Sequence, residues 1–336
     1  MSARHRPIAA LCLLATAAAF AGCDVDTIPE GARRTPAGNG PKVVFDPSHR
    51  PLPEIPQPND VATFPDPTSR TGRRINVSLV APTRMERVAR EGFNDLEGWG
   101  TFQPLTVSFE NPDPTRKDPA IALEDVAARM QGDGYDFADD PIYLVNLTTG
   151  VPVPLEMGNG TFPLSVMDKN RYWPNDLRVD QENLLLETAE EAPGFHGYRP
   201  DLDNDFDGVI DHPNTLPRPG VQVPGVDNLL SWYERETDTL VLRPILPLEE
   251  KTEYAVVLTD RMKSANGAPV KSPFDGVHHP AQRRGAERLK EILSDGKLAS
   301  YYGDIAGTGL SHVAFTWTFT TQPTFEDMKV LRDGLY

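Results

Sequence analysis

Between Asp201 and Asp207 an acid recurs at every second position, as Asp201, Asp203, Asp205 and Asp207, and Gly208 closes the run. Alternate aspartates in a tightly wound loop aim their carboxylates at one centre, and a glycine permits the sharp turn that follows. This is the D-x-D-x-D-G pattern of a calcium loop. Ca²⁺ is a hard cation that takes about 6–8 oxygen ligands. Numbered as an EF-hand-type loop, Asp203, Asp205 and Asp207 occupy the first, third and fifth places. The carbonyl of Val209 falls at the seventh and Asp211 at the ninth. Asn214 stands at the twelfth, where such loops carry a bidentate Glu, and Ile210 fills the apolar eighth place. Pro200, Pro213, Pro217 and Pro219 exclude the long flanking helices of an EF-hand pair. Carboxylates about 4 Å apart repel by about 4 kcal/mol at an effective dielectric near 20. The loop therefore either closes on a cation or stays open as a solvated acidic turn. With Asn214 weakening one ligand, the expected affinity lies in the extracellular range of about 10⁻⁴–10⁻³ M.

A second chemical residue is Cys23. A basic stretch (Arg4, His5, Arg6) leads into the apolar run Ile8 to Phe20 and then Ala21-Gly22-Cys23. The run is too short to span a bilayer and has the layout of an export signal. Small residues directly before a cysteine resemble a bacterial lipobox, with Phe20 in place of the usual Leu. The expectation is a signal over 1–22, cleavage before Cys23 and a diacylglyceryl group on its sulfur; the alternative is an ordinary signal peptide with a chance cysteine. The other cysteine, Cys12, leaves with the signal, so no disulfide can form within the mature chain. Removing Arg4 and Arg6, with no acid lost, takes the formal charge from −16 to −18. Nucleic acid and anionic lipid are poor partners for such a surface, and cations are good ones.

Nucleophilic catalysis finds little support. An α/β-hydrolase needs G-x-S-x-G, because flanking glycines permit the strained turn that exposes the serine. No such pentapeptide occurs, and Ser165, Ser300 and Ser311 all lack the spacing. Ser311 and His312 are neighbours, which on a strand would point to opposite faces. His278-His279 reads as a proline-flanked exposed loop rather than a metal pair. Trp317 sits on an aromatic stripe and reads as core; Trp99, Trp173 and Trp232 are candidates for stacking on a ligand.

The elements that must position these residues are mostly strands. Period-two alternation runs through Ile75-Val77-Leu79, Leu105-Val107-Phe109 and Val313-Phe315-Trp317-Phe319, predicting half-buried strands. Hairpins are expected over 141–155 around Thr148-Thr149-Gly150, after Tyr254–Thr259 at Asn266-Gly267, and over 229–242. Helical spacing appears at Met85, Val88, Ala89, Phe93 and Leu96; over 122–130; at Ala286, Leu289, Ile292 and Leu293; and from Thr324. There Thr324 and Asp327 form a capping-box pattern ahead of Phe325, Met328, Leu331 and Leu335. That last stripe either packs back on the sheet or leads into something further. The fold expected is mainly β, an immunoglobulin-like β-sandwich with a few connecting helices. Residues 23–57, rich in Pro and Gly, form either a flexible tether or an extended segment packed along the domain. The domain proper is expected over 58–336, with the acidic loop as an insertion near 198–225.

Several segments together resemble the N-terminal domain of bacterial virulence-factor lipases. They are Pro56-Gln57-Pro58-Asn59-Asp60, Asp66-Pro67-Thr68, Thr71 to Asn76, Leu96-Glu97-Gly98-Trp99-Gly100-Thr101 leading into Pro104-Leu105, Leu242 to Leu248, Thr252 with Tyr254–Thr259 and Gly267, and Phe315 to Thr321. Each is weak alone, and their order along the chain carries the resemblance. It implies a lipase-associated envelope lipoprotein, at the outer membrane or cell surface in preference to the inner membrane. The α/β-hydrolase would be a following domain or a separate protein, and this chain would be its non-catalytic support. The alternatives are a calcium-dependent adhesion or carbohydrate-binding module, and an esterase with an unrecognised site.

Overall fold

A computed structural model describes residues 33–49, 53–113, 115, 118–130, 137–156, 232–234 and 237–335. The strands are β1 (Lys42–Val43), β2 (Thr63–Pro65), β3 (Arg73–Ile75), β4 (Leu105–Glu110), β5 (Ile142–Asn146), β6 (Pro152–Val153), β7 (Leu155–Glu156), β8 (Tyr233–Glu234), β9 (Thr239–Pro244), β10 (Glu253–Thr259) and β11 (Val313–Thr320). The helices are α1 (Arg84–Asn94), α2 (Leu123–Met130), α3 (Arg283–Leu293), α4 (Ala299–Tyr302) and α5 (Glu326–Leu335). Helix and strand thus take similar shares of the described residues, a more mixed composition than a mainly-β reading anticipates.

Two larger sheets form, and every strand pairing in them is antiparallel. In the first, the order is β1-β4-β9-β7, with β8 also on β9; in the second it is β11-β10-β5-β6. Neither closes into a barrel. In β4 and β9 the register sets Leu105 opposite Leu242 and Val107 opposite Leu240. Alternate residues therefore share one face, and that face is buried. They join Leu144, Tyr254, Val256, Phe315, Trp317 and Phe319 of the second sheet in one core.

The second sheet is buried on its other face too. Tyr143, Val145, Ala255, Val257 and Val313 pack there against Leu289, Ile292 and Leu293 of α3, with Tyr302 and Ile305. The i, i+3, i+4 spacing along α3 gives the apolar stripe that makes this a third layer. Close approach at its first turn depends on Gly285, since a Cβ there would lie 2.5 Å from Cγ2 of Thr318. Alternation along β11 correctly marks a strand, but that strand is wholly buried, not half-buried. Two of its threonines on the α3 side bond their hydroxyls: Thr316 Oγ1 donates to the Val256 carbonyl at 2.7 Å, and Thr320 Oγ1 to Asp60 at 2.8 Å.

Two hairpin expectations turn out differently. Residues 141–155 do form one, with β5 paired to β6 across a turn at Gly150, whose φ is 77°. Asn266-Gly267, by contrast, closes only a small bridge between Lys263 and Pro269, and β10 pairs instead with β5 and β11. The described part of residues 23–57 is packed along the domain. Arg34 bridges Gly276, β1 pairs with β4, and Gln57 bridges Thr106. Backbone bonds to distant strands hold it, which a free tether lacks.

Candidate functional site

The Gln57–Asp60 segment folds onto the second sheet through buried polar bonds. The Pro58 carbonyl, after a cis Gln57-Pro58 bond, accepts from Nε1 of Trp317 at 2.8 Å. Asn59 Oδ1 accepts from Val61 N at 3.0 Å, capping a single 3-10 turn, and from Nε2 of Gln282 at 2.9 Å. That same Nε2 donates to the Thr318 carbonyl at 2.8 Å. Asp60 accepts from the backbone N and the Oγ1 of Thr320 at 3.0 and 2.8 Å, and pairs with Nη1 of Arg73 at 2.8 Å. Asn59 Nδ2 and Gln282 Oε1 are buried and find no hydrogen-bond partner among the described residues.

Burial, the largest influence, pushes the Asp60 carboxyl up to about 6, and Glu253 adds to the rise; Arg73 and Thr320 pull the other way. The folded state then holds this proton more tightly than the unfolded chain. The resulting stabilisation is fully present below about 3.8 and is lost as pH rises through about 6. We expect wild type, relative to Asp60→Asn, to lose on the order of 2 kcal/mol between those limits, read as urea midpoints across the range. Parallel pH profiles for the two proteins would show that burial does not control this carboxyl. With its side chain enclosed, Asp60 ties segments together and has no access to a substrate.

Other segments meet at the same end of β11. Trp99 N donates to the Thr320 carbonyl at 2.9 Å, and Gln322 N donates to the Trp99 carbonyl at 2.8 Å. Gly98 has φ 148°, and a Cβ there would lie 2.7 Å from the Thr320 carbonyl oxygen. Leu248 N donates to the Thr101 carbonyl at 2.7 Å, while Thr321 Oγ1 donates to the Glu249 carbonyl at 2.6 Å. Segments around residues 56–60, 98–101, 248–254 and 317–322 thus form one polar junction.

The residues that the sequence singles out for chemistry are placed as follows. Cys23 and the loop residues Asp203, Asp205, Asp207, Val209, Asp211 and Asn214 lie outside the described residues, as does Trp173. Among the described residues no group of three or more His, Cys, Asp or Glu could hold a metal ion. His278 is buried, not exposed. Its Nδ1 faces the His279 carbonyl at 2.9 Å. His279 accepts from Ala281 N and stacks on Phe45, with ring centroids 5.3 Å apart. Burial, and then His278, hold the His279 imidazole below its ordinary value. Ser311 and His312 lie in a turn before β11. His312 Nδ1 meets Asp260 Oδ2 at 3.0 Å, and among the described residues no hydroxyl joins this pair as a nucleophile. Trp232 and Trp317 are core; Trp99 packs against that core.

Two helices present apolar side chains to solvent. On α1, Met85, Val88 and Phe93 are exposed; beside and along α5, so are Phe325, Met328, Val330, Leu331 and Leu335. The start of α5 is fixed to the junction. Thr324 N and Phe325 N donate to Glu250 Oε2, the latter at 2.9 Å, and Glu326 pairs with Lys251 and, at 3.6 Å, with Arg70. Thr324 is thus not the expected cap: its Oγ1 is buried and finds no partner among the described residues. The Glu250 carboxylate takes the role, since a negative charge suits a helix N-terminus. These backbone hydrogen bonds, Phe325 first, lower the Glu250 pKa.

No family model, curated protein or solved structure matches the chain.

Sequence reasoning does not reveal the Asp60 junction, because its hydrogen bonds to Gln282, Trp317 and Thr320 join residues 223 to 260 positions apart and no local pattern signals them. The nearest signal is the Pro-Gln-Pro-Asn-Asp string itself, polar residues set between prolines. Among the described residues no helix is long and apolar enough to cross a membrane.

Proposed function

We propose that this chain is the lipid-anchored, non-catalytic part of an envelope lipoprotein that supports an α/β-hydrolase of lipase type. In finer architecture we read it as an immunoglobulin-like sandwich, a reading supported by two antiparallel sheets that share one core. The observation that carries the functional reading is the junction at the end of β11. The separated segments that resemble a lipase-associated domain pack on one another there. From that junction α5 departs with its stripe Phe325, Met328, Leu331 and Leu335 uncovered, which offers a face for the hydrolase. The missing G-x-S-x-G supports the assignment of catalysis to that partner.

The test is whether serine-hydrolase reactivity travels with the lipoprotein. Intact envelopes are treated with a fluorophosphonate probe, and the lipoprotein is then isolated. We expect a labelled hydrolase to co-isolate, on a separate protein or on a longer form of this polypeptide, and Leu331→Glu to reduce its yield. Stoichiometric labelling of Ser165, Ser300 or Ser311 would overturn the non-catalytic assignment. Absence of any labelled hydrolase would overturn the supporting role.

The reading includes a calcium ion held by Asp203, Asp205, Asp207, the Val209 carbonyl, Asp211 and Asn214. A ligand that binds only the folded state stabilises it by about 2.7 kcal/mol at about 100 times its Kd. In a domain of this size that raises the Tm by a few degrees. Asp205→Ala or Asp207→Ala should abolish the calcium-dependent rise and leave the calcium-free Tm unchanged or slightly higher, because like-charge repulsion is relieved. Calorimetry at millimolar calcium reads both. No heat of binding to the unsubstituted chain would rule the site out.

A further inference from the structure

Helix α5 stands clear of the domain along most of its length. Every residue from Met328 to Leu335 is exposed, Leu335 at 81%. Among the described residues, no hydrogen bond or ion pair joins residues 328–335 to another element, and Arg332 pairs with its own neighbour Asp333. Short helices in proteins take most of their stability from an apolar face packed on a core. Without that packing, a helix shorter than about 12–15 residues is marginal in water. Helix α5 has 10 residues, and its composition does not compensate, since Val330 is β-branched and Gly334 costs backbone entropy.

What holds α5 is its start. Nucleating a helix is costly because several residues must be fixed before their hydrogen bonds reward the fixing. Here residues outside the helix do the fixing. Thr324 N and Phe325 N donate to Glu250 Oε2, the latter at 2.9 Å, and the Glu326 amide also faces that carboxylate. The Glu326 side chain pairs in turn with Lys251 and, at 3.6 Å, with Arg70. The loop that carries Glu250 and Lys251 is itself fastened to the end of β11. Lys251 N donates to the Thr321 carbonyl at 3.1 Å, and Thr321 Oγ1 donates to the Glu249 carbonyl at 2.6 Å. Thr324, the cap that the local sequence offers, does not act as one, because its Oγ1 finds no partner among the described residues.

We infer that α5 is a conditional helix, formed while Glu250 holds its first amides and unwound when that carboxylate releases them. The consequence is a surface that can be made and unmade. Phe325, Met328, Leu331 and Leu335 share a face only at helical spacing. In an extended chain alternate residues share a side, which puts Met328 opposite the other three. Glu250 therefore decides whether this apolar face exists. The inference holds whatever the face binds, and so does not rest on the lipid anchor or on the hydrolase reading.

The test uses the signal-free chain with Cys23→Ser and reads backbone carbon chemical shifts at residues 326–335. We expect helical shifts there. Losing a cap of typical strength raises the ratio of unwound to helical α5 roughly fivefold. Glu250→Ala should therefore move the shifts of 326–335 toward random-coil values by about that factor, while those of β10 and β11 stay in place. Glu250→Gln, which keeps an acceptor but loses the charge, should fall between. Gly334→Ala should recover helix in the Glu250→Ala background by a similar factor, and a Cβ there would meet nothing within 4 Å. Any of four results overturns the inference: α5 unwound in the chain that retains Glu250; a helix indifferent to Glu250→Ala; displacement of the β10 and β11 shifts together with those of α5, which would make Glu250 a support of the core; or no recovery with Gly334→Ala.

Discussion

Trp317→Ala is expected to lower the unfolding free energy by about 3–5 kcal/mol, the range for truncating a buried aromatic residue. A domain of this kind has about 5–15 kcal/mol in total, so the variant would be marginally folded. Trp317 is wholly buried between the two sheets and stacks on Phe315, with centroids 5.7 Å apart. Its indole N–H is also the donor to the Pro58 carbonyl, so truncation both opens a cavity and leaves that carbonyl without a partner. Trp317→Phe separates the two effects. It keeps most of the packing, and the unpaired carbonyl should cost about 1–3 kcal/mol. Urea denaturation reads both variants. A loss below about 1 kcal/mol for Trp317→Ala would contradict a core built on β11 and the Gln57–Asp60 junction.

Much of the strand and helix content was legible in the sequence, and the reasons it was or was not are physical. Leu105, Val107 and Phe109 alternate with Thr106 and Ser108 because β4 buries one face and leaves the other half-open. The same alternation in β11 marks the period but not the burial, since α3 covers the second face, where Thr316 and Thr320 bond their hydroxyls. Periodicity shows that a stripe exists without showing what covers it. The apolar residues of α1 have the spacing expected of a core-facing helix, yet the structure turns them outward, because Arg90 and Asn94 bind the carbonyls and amide of residues 77–80. The start of α5 was misread for a related reason. A local Thr-x-x-Asp pattern suggested a capping box, whereas the carboxylate that caps the helix belongs to Glu250, about 75 residues earlier.

The candidate site divides the same way. A calcium loop is a local device whose ligands lie within a dozen residues, so Asp203 to Asn214 could be proposed from the sequence alone. The Asp60 junction is a long-range device, and only the fold brings Thr320, Arg73 and Gln282 to it.

We propose that this protein is anchored as a lipoprotein through Cys23. Lipid attachment adds about 0.8 kcal/mol per buried methylene, and two acyl chains on one residue are enough for stable anchoring. Cys23→Ala should therefore move the mature chain from the detergent phase to the aqueous phase almost completely, without changing its folded core. The most direct measurement is metabolic labelling with a fatty-acid analogue, followed by N-terminal sequencing of the mature protein. The account predicts label on wild type, none on Cys23→Ala, and a mature chain that begins at Cys23. An unlabelled wild-type protein, or one whose mature chain begins elsewhere, would contradict it.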